Sequence, residues 1–258
     1  MPNQNSDAPT MLRIDGAIAT ITLNRPEAYN AIDIETAVCL ESLAATVEAR
    51  DDVRVLVINA AGKAFCAGGD VKLFAEHIDN LGPPISALLN HLNGFLLTLR
   101  RMPQIVITSV QGAAAGAGFS LAFMGDLCIA ADNARFRPAY AQIGVSPDAG
   151  GTVGVVQTVG PRVALQLFLG EPEISSERAE RLGLVSKIVP AAELTEATVV
   201  YAQALAAISP VAAAMTKKLI WQSAENPLSD QLNAEQQAIL GCMGTPEFKA
   251  RVRSFGSR

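Results

Sequence analysis

Apolar and polar positions alternate through Leu12-Arg13-Ile14 and again through residues 17–23, with Asp15-Gly16 between the two runs. Side chains on one face of a strand recur every second residue, and Asp-Gly accepts the backbone of a tight turn, so this pattern predicts a β-hairpin. Asn24-Arg25-Pro26 ends the unit, and Asp33 is placed to cap a helix reaching about Arg50. Apolar runs rich in β-branched residues follow at 53–59 and 105–110, and a further strand is read at 126–131. Between them lie a short helix from Val71, a helix over 85–101 preceded by Gly82-Pro83-Pro84, and a helix ending near Met124. Strand, turn and helix recur with short connections to about Pro190, which indicates an α/β core of repeated units over 1–190. From 191 to 258 the pattern is helical throughout, at 192–208, 210–224, 228–240 and 246–255, with breaks at Ser209-Pro210 and Asn226-Pro227. This region is too apolar to stand alone and must pack on the core or on a partner subunit. Residues 1–10 are polar and read as a frayed tail.

The two interior strands at 53–59 and 105–110 each run into a turn of small residues. One is Ala64-Phe65-Cys66-Ala67-Gly68-Gly69-Asp70-Val71-Lys72, the other Gly112-Ala113-Ala114-Ala115-Gly116-Ala117-Gly118-Phe119. Each leads to a helix start, where backbone N–H groups are free and small side chains let a ligand approach the main chain. Converging on one point, two such turns would form an oxyanion hole. Tight strand-to-helix turns with close packing use the same residues.

Composition narrows the choice. Half of the 258 residues are hydrophobic and the formal net charge is −5. That charge, without any Lys/Arg block, argues against a nucleic-acid surface. Cys39, Cys66, Cys128 and Cys242 are scattered, with no CxxC and no signal peptide, and read as reduced cytoplasmic thiols. With His77 and His91 the only histidines, no metal site is expected. The longest apolar stretches are broken by Gly, Pro or charge, so no membrane span is expected.

Six ordered motifs carry a resemblance. They are Asn24-Arg25-Pro26 with Asn30-Ala31; the FCAGGDVK turn; Pro103-Gln104-Ile105-Val106 with Gln111-Gly112; Gly116-Ala117-Gly118 with Gly125-Asp126; Ser146-Pro147-Asp148-Ala149-Gly150-Gly151-Thr152; and Arg181-Leu182-Gly183-Leu184-Val185. Along essentially its whole length the chain resembles the enoyl-CoA hydratase/isomerase (crotonase) superfamily. The resemblance implies a spiral of ββα units, a C-terminal helical oligomerisation region over 191–258, and a homotrimer or dimer of trimers. It also implies acyl-CoA thioester substrates, with coenzyme A as part of the substrate and no separate cofactor. The oxyanion donors would be the backbone N–H groups of Gly69 and Ala117. Glu27, Ala28, Ala67, Val71 and Lys72 align with the coenzyme A pocket, Lys72 as a phosphate partner and Glu27 where a Lys is common.

The chain departs from the hydratase pattern in its side chains. Hydratases of the family hold water between two glutamates, and here those positions carry Ser120 and Tyr140. Neither is a useful base near neutral pH. Asp148 stands where hydratases usually have Gly. It is read as the acid/base, as in the ring-1,2-epoxyphenylacetyl-CoA isomerases, whose local texture the chain resembles most; a β-turn or a helix cap would use the same residue. An ordinary Asp, of pKa about 3.9, would be a weak base, so apolar burial beside Tyr140, Ile143 and Phe136 would have to raise it. Double-bond isomerisation is the leading expectation. The alternatives are an aryl-CoA dehalogenase or thioester hydrolase using Asp148, His91 and Tyr140, a hydratase lacking the usual glutamates, and a catalytically inactive binding subunit.

Overall fold

A computed structural model describes residues 8–255. Its strands are β1 (Thr10–Asp15), β2 (Ile18–Leu23), β3 (Val55–Ala60), β4 (Ile105–Val110), β5 (Ala113–Ala115), β6 (Leu127–Ala131), β7 (Arg135–Arg137), β8 (Ile174–Ser175) and β9 (Lys187–Val189). The helices are α1 (Ile34–Glu48), α2 (Val71–Glu76), α3 (Gly82–Arg101), α4 (Ala117–Ala122), α5 (Gly151–Leu165), α6 (Ser176–Arg181), α7 (Leu194–Ala206), α8 (Pro210–Gln222), α9 (Leu228–Met243) and α10 (Pro246–Phe255). One sheet has the order β1-β2-β3-β4-β6-β9; a smaller one has the order β5-β7-β8. The β1–β2 hairpin is antiparallel and every later pairing of the large sheet is parallel.

Parallel strands need covering on both faces, which is why β3, β4 and β6 are apolar almost throughout. One face packs Leu56, Ile58 and Val106 against Leu40 of α1 and Leu92, Phe95 and Leu99 of α3. The other packs Val57, Ile107 and Ile129 against Leu194 and Ala202 of α7. Asp33 caps α1 by accepting the Thr36 N–H at 2.8 Å. α8 is pinned to the core by Lys217. Its ammonium donates to Leu99 O and Gln104 O, both at 2.8 Å, and pairs with Asp126, also at 2.8 Å. α9 buries none of its residues, and Leu228, Leu232, Ile239 and Leu240 are exposed.

Three local expectations change. The tail read over 1–10 falls mostly outside the described residues, but Thr10 opens β1 and is buried, and Pro9 O accepts the Asn24 N–H. The second small-residue turn contains a strand: β5 pairs in parallel with β7, each residue with one 22 positions downstream, a pairing that no local pattern announces. Gly151–Gly170 forms a 20-residue helical run of mean hydropathy 1.2, long and apolar enough by those measures to cross a membrane. Gly160, at φ 75°, interrupts it just before Pro161, and Gly151, Val155, Ala164 and Leu167 are buried.

Candidate active site

The two small-residue turns are fastened to each other through their main chains. Phe65 and Cys66 N–H both donate to Ala113 O, at 3.0 and 3.1 Å, and Ala115 N–H donates to Cys66 O at 2.8 Å. The approach is close enough to require glycine. A Cβ on Gly118 would lie 2.3 Å from Cys66 O, and one on Gly68 would lie 2.9 Å from Ala115 O and 3.4 Å from Ala117 N. Gly68 also holds φ at 100°, where an L side chain is strained. Beside it, Ile32 N–H donates to Gly68 O and Asp70 N–H donates to Ile32 O. Gly69 lies between those bonds and Ala117 opens α4. Among the described residues neither of their N–H groups donates to any acceptor. α4 has only six residues, so the local N–H, rather than a long helix, supplies the donor.

The residues aligned with the coenzyme A pocket cluster around the first turn. The one-turn helix Pro26–Ala28 is tied to it by Ala67 N–H donating to Tyr29 O at 3.0 Å. Glu27, Ala67, Val71 and Lys72 are exposed, and Ala28 is half-buried. Asp70 caps α2 by accepting the Lys72 N–H at 3.0 Å and pairs with Arg25, also at 3.0 Å. Lys63, which the sequence did not single out, sets its ammonium 5.1 Å from the centre of the Tyr29 ring. Its position just before the first turn was the only signal for it.

Asp148 is reached from the other side. Tyr140 Oη donates to Asp148 Oδ1 at 2.8 Å and lies 2.7 Å from Ser120 Oγ, so Ser120, Tyr140 and Asp148 form one hydrogen-bonded chain. Ser120 is fully buried in α4, three residues beyond Ala117, and a Cβ on Gly151 would lie 2.2 Å from its Oγ. The hydrogen-bonded chain therefore runs from α4, the helix that Ala117 opens, to a carboxylate. Ala139 and Ala149, each next to one of these residues, hold positive φ of 61° and 49°. Non-glycine residues in that region cost roughly 1–2 kcal/mol each.

Burial pushes the Asp148 carboxyl above its ordinary value, opposed by the Tyr140 hydrogen bond. Burial, and then the Asp148 charge, pushes the Tyr140 phenol far up, so it remains a hydrogen-bond donor. The apolar wall differs from the one expected. Phe136 is fully buried, but Ile143 is 68% exposed. Phe168, its ring 6.3 Å from Tyr140 and 5.5 Å from Phe119, supplies a wall that no nearby sequence signal marked.

The structure gives His91 a different partner. From α3 its Nδ1 lies 2.7 Å from Glu41 of α1, with both side chains about two-fifths exposed. The resemblance offers His91 with Asp148 and Tyr140 for the dehalogenase or hydrolase alternative; in the fold Asp148 bonds Tyr140 and His91 bonds Glu41. Among the described residues, no group of three or more His, Cys, Asp or Glu side chains is arranged to hold a metal ion.

An α/β fold with two unpaired backbone donors on mutually fastened turns, and a half-buried carboxylate joined through Tyr140 to Ser120 of α4, is suited to hold negative charge on a carbonyl oxygen. The profile of the enoyl-CoA hydratase/isomerase family matches residues 13–256. A trans-2-decenoyl-[acyl-carrier-protein] isomerase of Streptococcus mutans is 32% identical over 95% of this chain and 94% of its own. A 1,2-epoxyphenylacetyl-CoA isomerase of Escherichia coli K12 is 32% identical over 94% of this chain and 93% of its own. The crystal structure of a putative enoyl-CoA hydratase from Thermobifida fusca, in complex with acetoacetyl-CoA, superposes with a TM-score of 0.84 at 32% identity, covering 94% of this chain and 98% of that one. The chain belongs to the enoyl-CoA hydratase/isomerase family and has the crotonase fold.

Proposed function

We propose that the protein is an enoyl-CoA isomerase that shifts a double bond, with Asp148 as the single acid/base. The observation that carries this reading is the Tyr140–Asp148 hydrogen bond at 2.8 Å, made where the family's hydratases have no such carboxylate. The Asp148 carboxylate takes a proton from C2 of a 3-enoyl thioester. The electron pair moves onto the carbonyl oxygen, and the dienolate is held by the Gly69 and Ala117 N–H groups. The carboxylic acid then returns the proton to C4, leaving the double bond between C2 and C3. Proton and electron pair stay within substrate and Asp148, so the step needs no cofactor beyond the thioester's own coenzyme A. Burial supports the role, because a carboxylate raised above its ordinary value is a stronger base. Isomerase names among the relatives support it too.

Coenzyme A is assigned to the surface formed by Glu27, Ala28, Ala67, Val71 and Lys72, supported by the acetoacetyl-CoA complex of the T. fusca relative. The exposed apolar row on α9 supports association of copies into a trimer or a dimer of trimers. The engagement of His91 by Glu41 weighs against the dehalogenase and hydrolase readings. The test is to incubate the protein with 3-enoyl-CoA esters and follow the absorbance of the conjugated 2-enoyl product. Conversion supports the reading; no conversion at any chain length, with CoA-ester binding intact, overturns it.

A further inference from the structure

The two positions that hold water in the family's hydratases form a chain of hydroxyls here, and the direction of that chain follows from donor counting. An ionised carboxylate only accepts, so Tyr140 must spend its one proton on Asp148 Oδ1. The phenol oxygen can then only accept at its 2.7 Å contact with Ser120, which makes Ser120 Oγ the donor. Ser120 is fully buried and Tyr140 nearly so, and among the described residues Ser120 Oγ has no partner other than Tyr140. Gly151 closes over the serine.

We propose that Ser120 is a positioning residue for Asp148. Acting through Tyr140, it keeps Oδ1 occupied as an acceptor, so that Oδ2 alone carries the proton between the two carbons of the substrate. This rests on the isomerase reading above and adds to it a residue that reaches the carboxylate only through Tyr140. One oxygen serving both carbons fits the reaction, since a proton taken up by Oδ1 would have to be exchanged with Tyr140 before its return. The hydroxyl chain also strengthens the bond it feeds. A donor to the phenol oxygen polarises the phenol O–H, and such chains gain roughly 10–30% per bond.

The test compares Ser120→Ala, Ser120→Cys and Tyr140→Phe with the unmodified enzyme. For Ser120→Ala, kcat falls about three- to tenfold with KM nearly unchanged, because the substitution acts on the base through Tyr140 and leaves it less well held. The acid limb of kcat moves to higher pH. Asp148 must be ionised to take the proton, and weakening the donor to its carboxylate raises the pH at which it ionises. The shift is roughly a third of a pH unit for Ser120→Ala and about one unit or more for Tyr140→Phe. Ser120→Cys, a weaker donor of similar size, falls between Ser and Ala.

A second readout needs no turnover. The carboxyl infrared band assigned to Asp148, by difference from Asp148→Asn, titrates at higher pH in Ser120→Ala than in the unmodified protein. An unmoved Asp148 titration in Ser120→Ala overturns the proposal, whether or not the enzyme isomerises. A moved titration with no isomerisation keeps the hydroxyl chain and refutes the isomerase reading instead. A rise in KM with kcat intact marks Ser120 as a packing residue and overturns the positioning role.

Discussion

Gly69 and Ala117 owe their positions to main chain fastened to main chain, whereas Asp148 owes its position to a side-chain hydrogen bond on a loop whose preceding residues, 141–146, are exposed. The first arrangement is indifferent to which side chains project outward but has no room for an added carbon at Gly118 or Gly68. The second depends on the identity of three polar groups. In the proposed reading the backbone half holds a charged oxygen. The side-chain half would carry the proton chemistry. Strain follows the same division: the positive-φ alanines lie beside Tyr140 and Asp148, while the two small-residue turns meet their positive φ with Gly68 and Gly116.

Substitution on each side of the site sharpens the contrast. Asp148→Asn keeps an acceptor for Tyr140 while removing the base, and isomerase activity should fall by about 10²–10⁴ with CoA-ester binding retained. Stability should move the other way. Because burial raises the folded-state pKa of Asp148, its ionisation in the folded protein is unfavourable, and stability declines as pH rises from the unfolded carboxyl value of 3.8 through the raised folded one. Asp148→Asn should lose that slope in denaturant titrations run across pH. An unchanged slope would show that Asp148 is not desolvated.

Gly118→Ala tests the backbone half. With its Cβ only 2.3 Å from Cys66 O, the turns must separate, costing about 1–3 kcal/mol in urea unfolding and, through the displaced Ala117 N–H, about 10²–10³ in rate. Full activity would show that the two donors do not act together. Tyr140→Phe should give a smaller rate loss with the fold intact, its acid limb displaced upward as above. His91→Ala should do least. Its pair with Glu41 is a surface contact about two-fifths exposed on both sides, worth about 0–1 kcal/mol, and isomerase rate should stay within about twofold. A His91→Ala protein trapped as a covalent adduct on Asp148 would restore the hydrolytic reading.

Much of this was legible along the chain. The hairpin announced by Asp15-Gly16, the Asp33 cap and the helix breaks at Pro210 and Pro227 are local effects, decided by backbone sterics and neighbouring donors. The paired glycine-rich turns were legible for the same reason. Other features were not, since they depend on chain brought from far away. β5 forms because β7 lies beside it, Phe168 reaches Tyr140 from the end of the run after α5, and Ile143 faces outward although its sequence neighbours suggested a wall.

His91 marks the boundary most clearly. The family resemblance offered it beside Asp148 and Tyr140 only for the hydrolytic alternative, but the side a helical residue faces depends on what the helix packs against, and α3 packs on α1, where Glu41 meets the ring. The sequence by itself determined the family, the small residues that let two backbones meet, and the absence of both hydratase glutamates, because these are properties of residue identity and near-neighbour geometry. Only the tertiary structure decided that Ser120, Tyr140 and Asp148 touch. A hydrogen bond exists only within about 3 Å, and no spacing along the chain fixes a distance that short between residues on a helix, a turn and a loop.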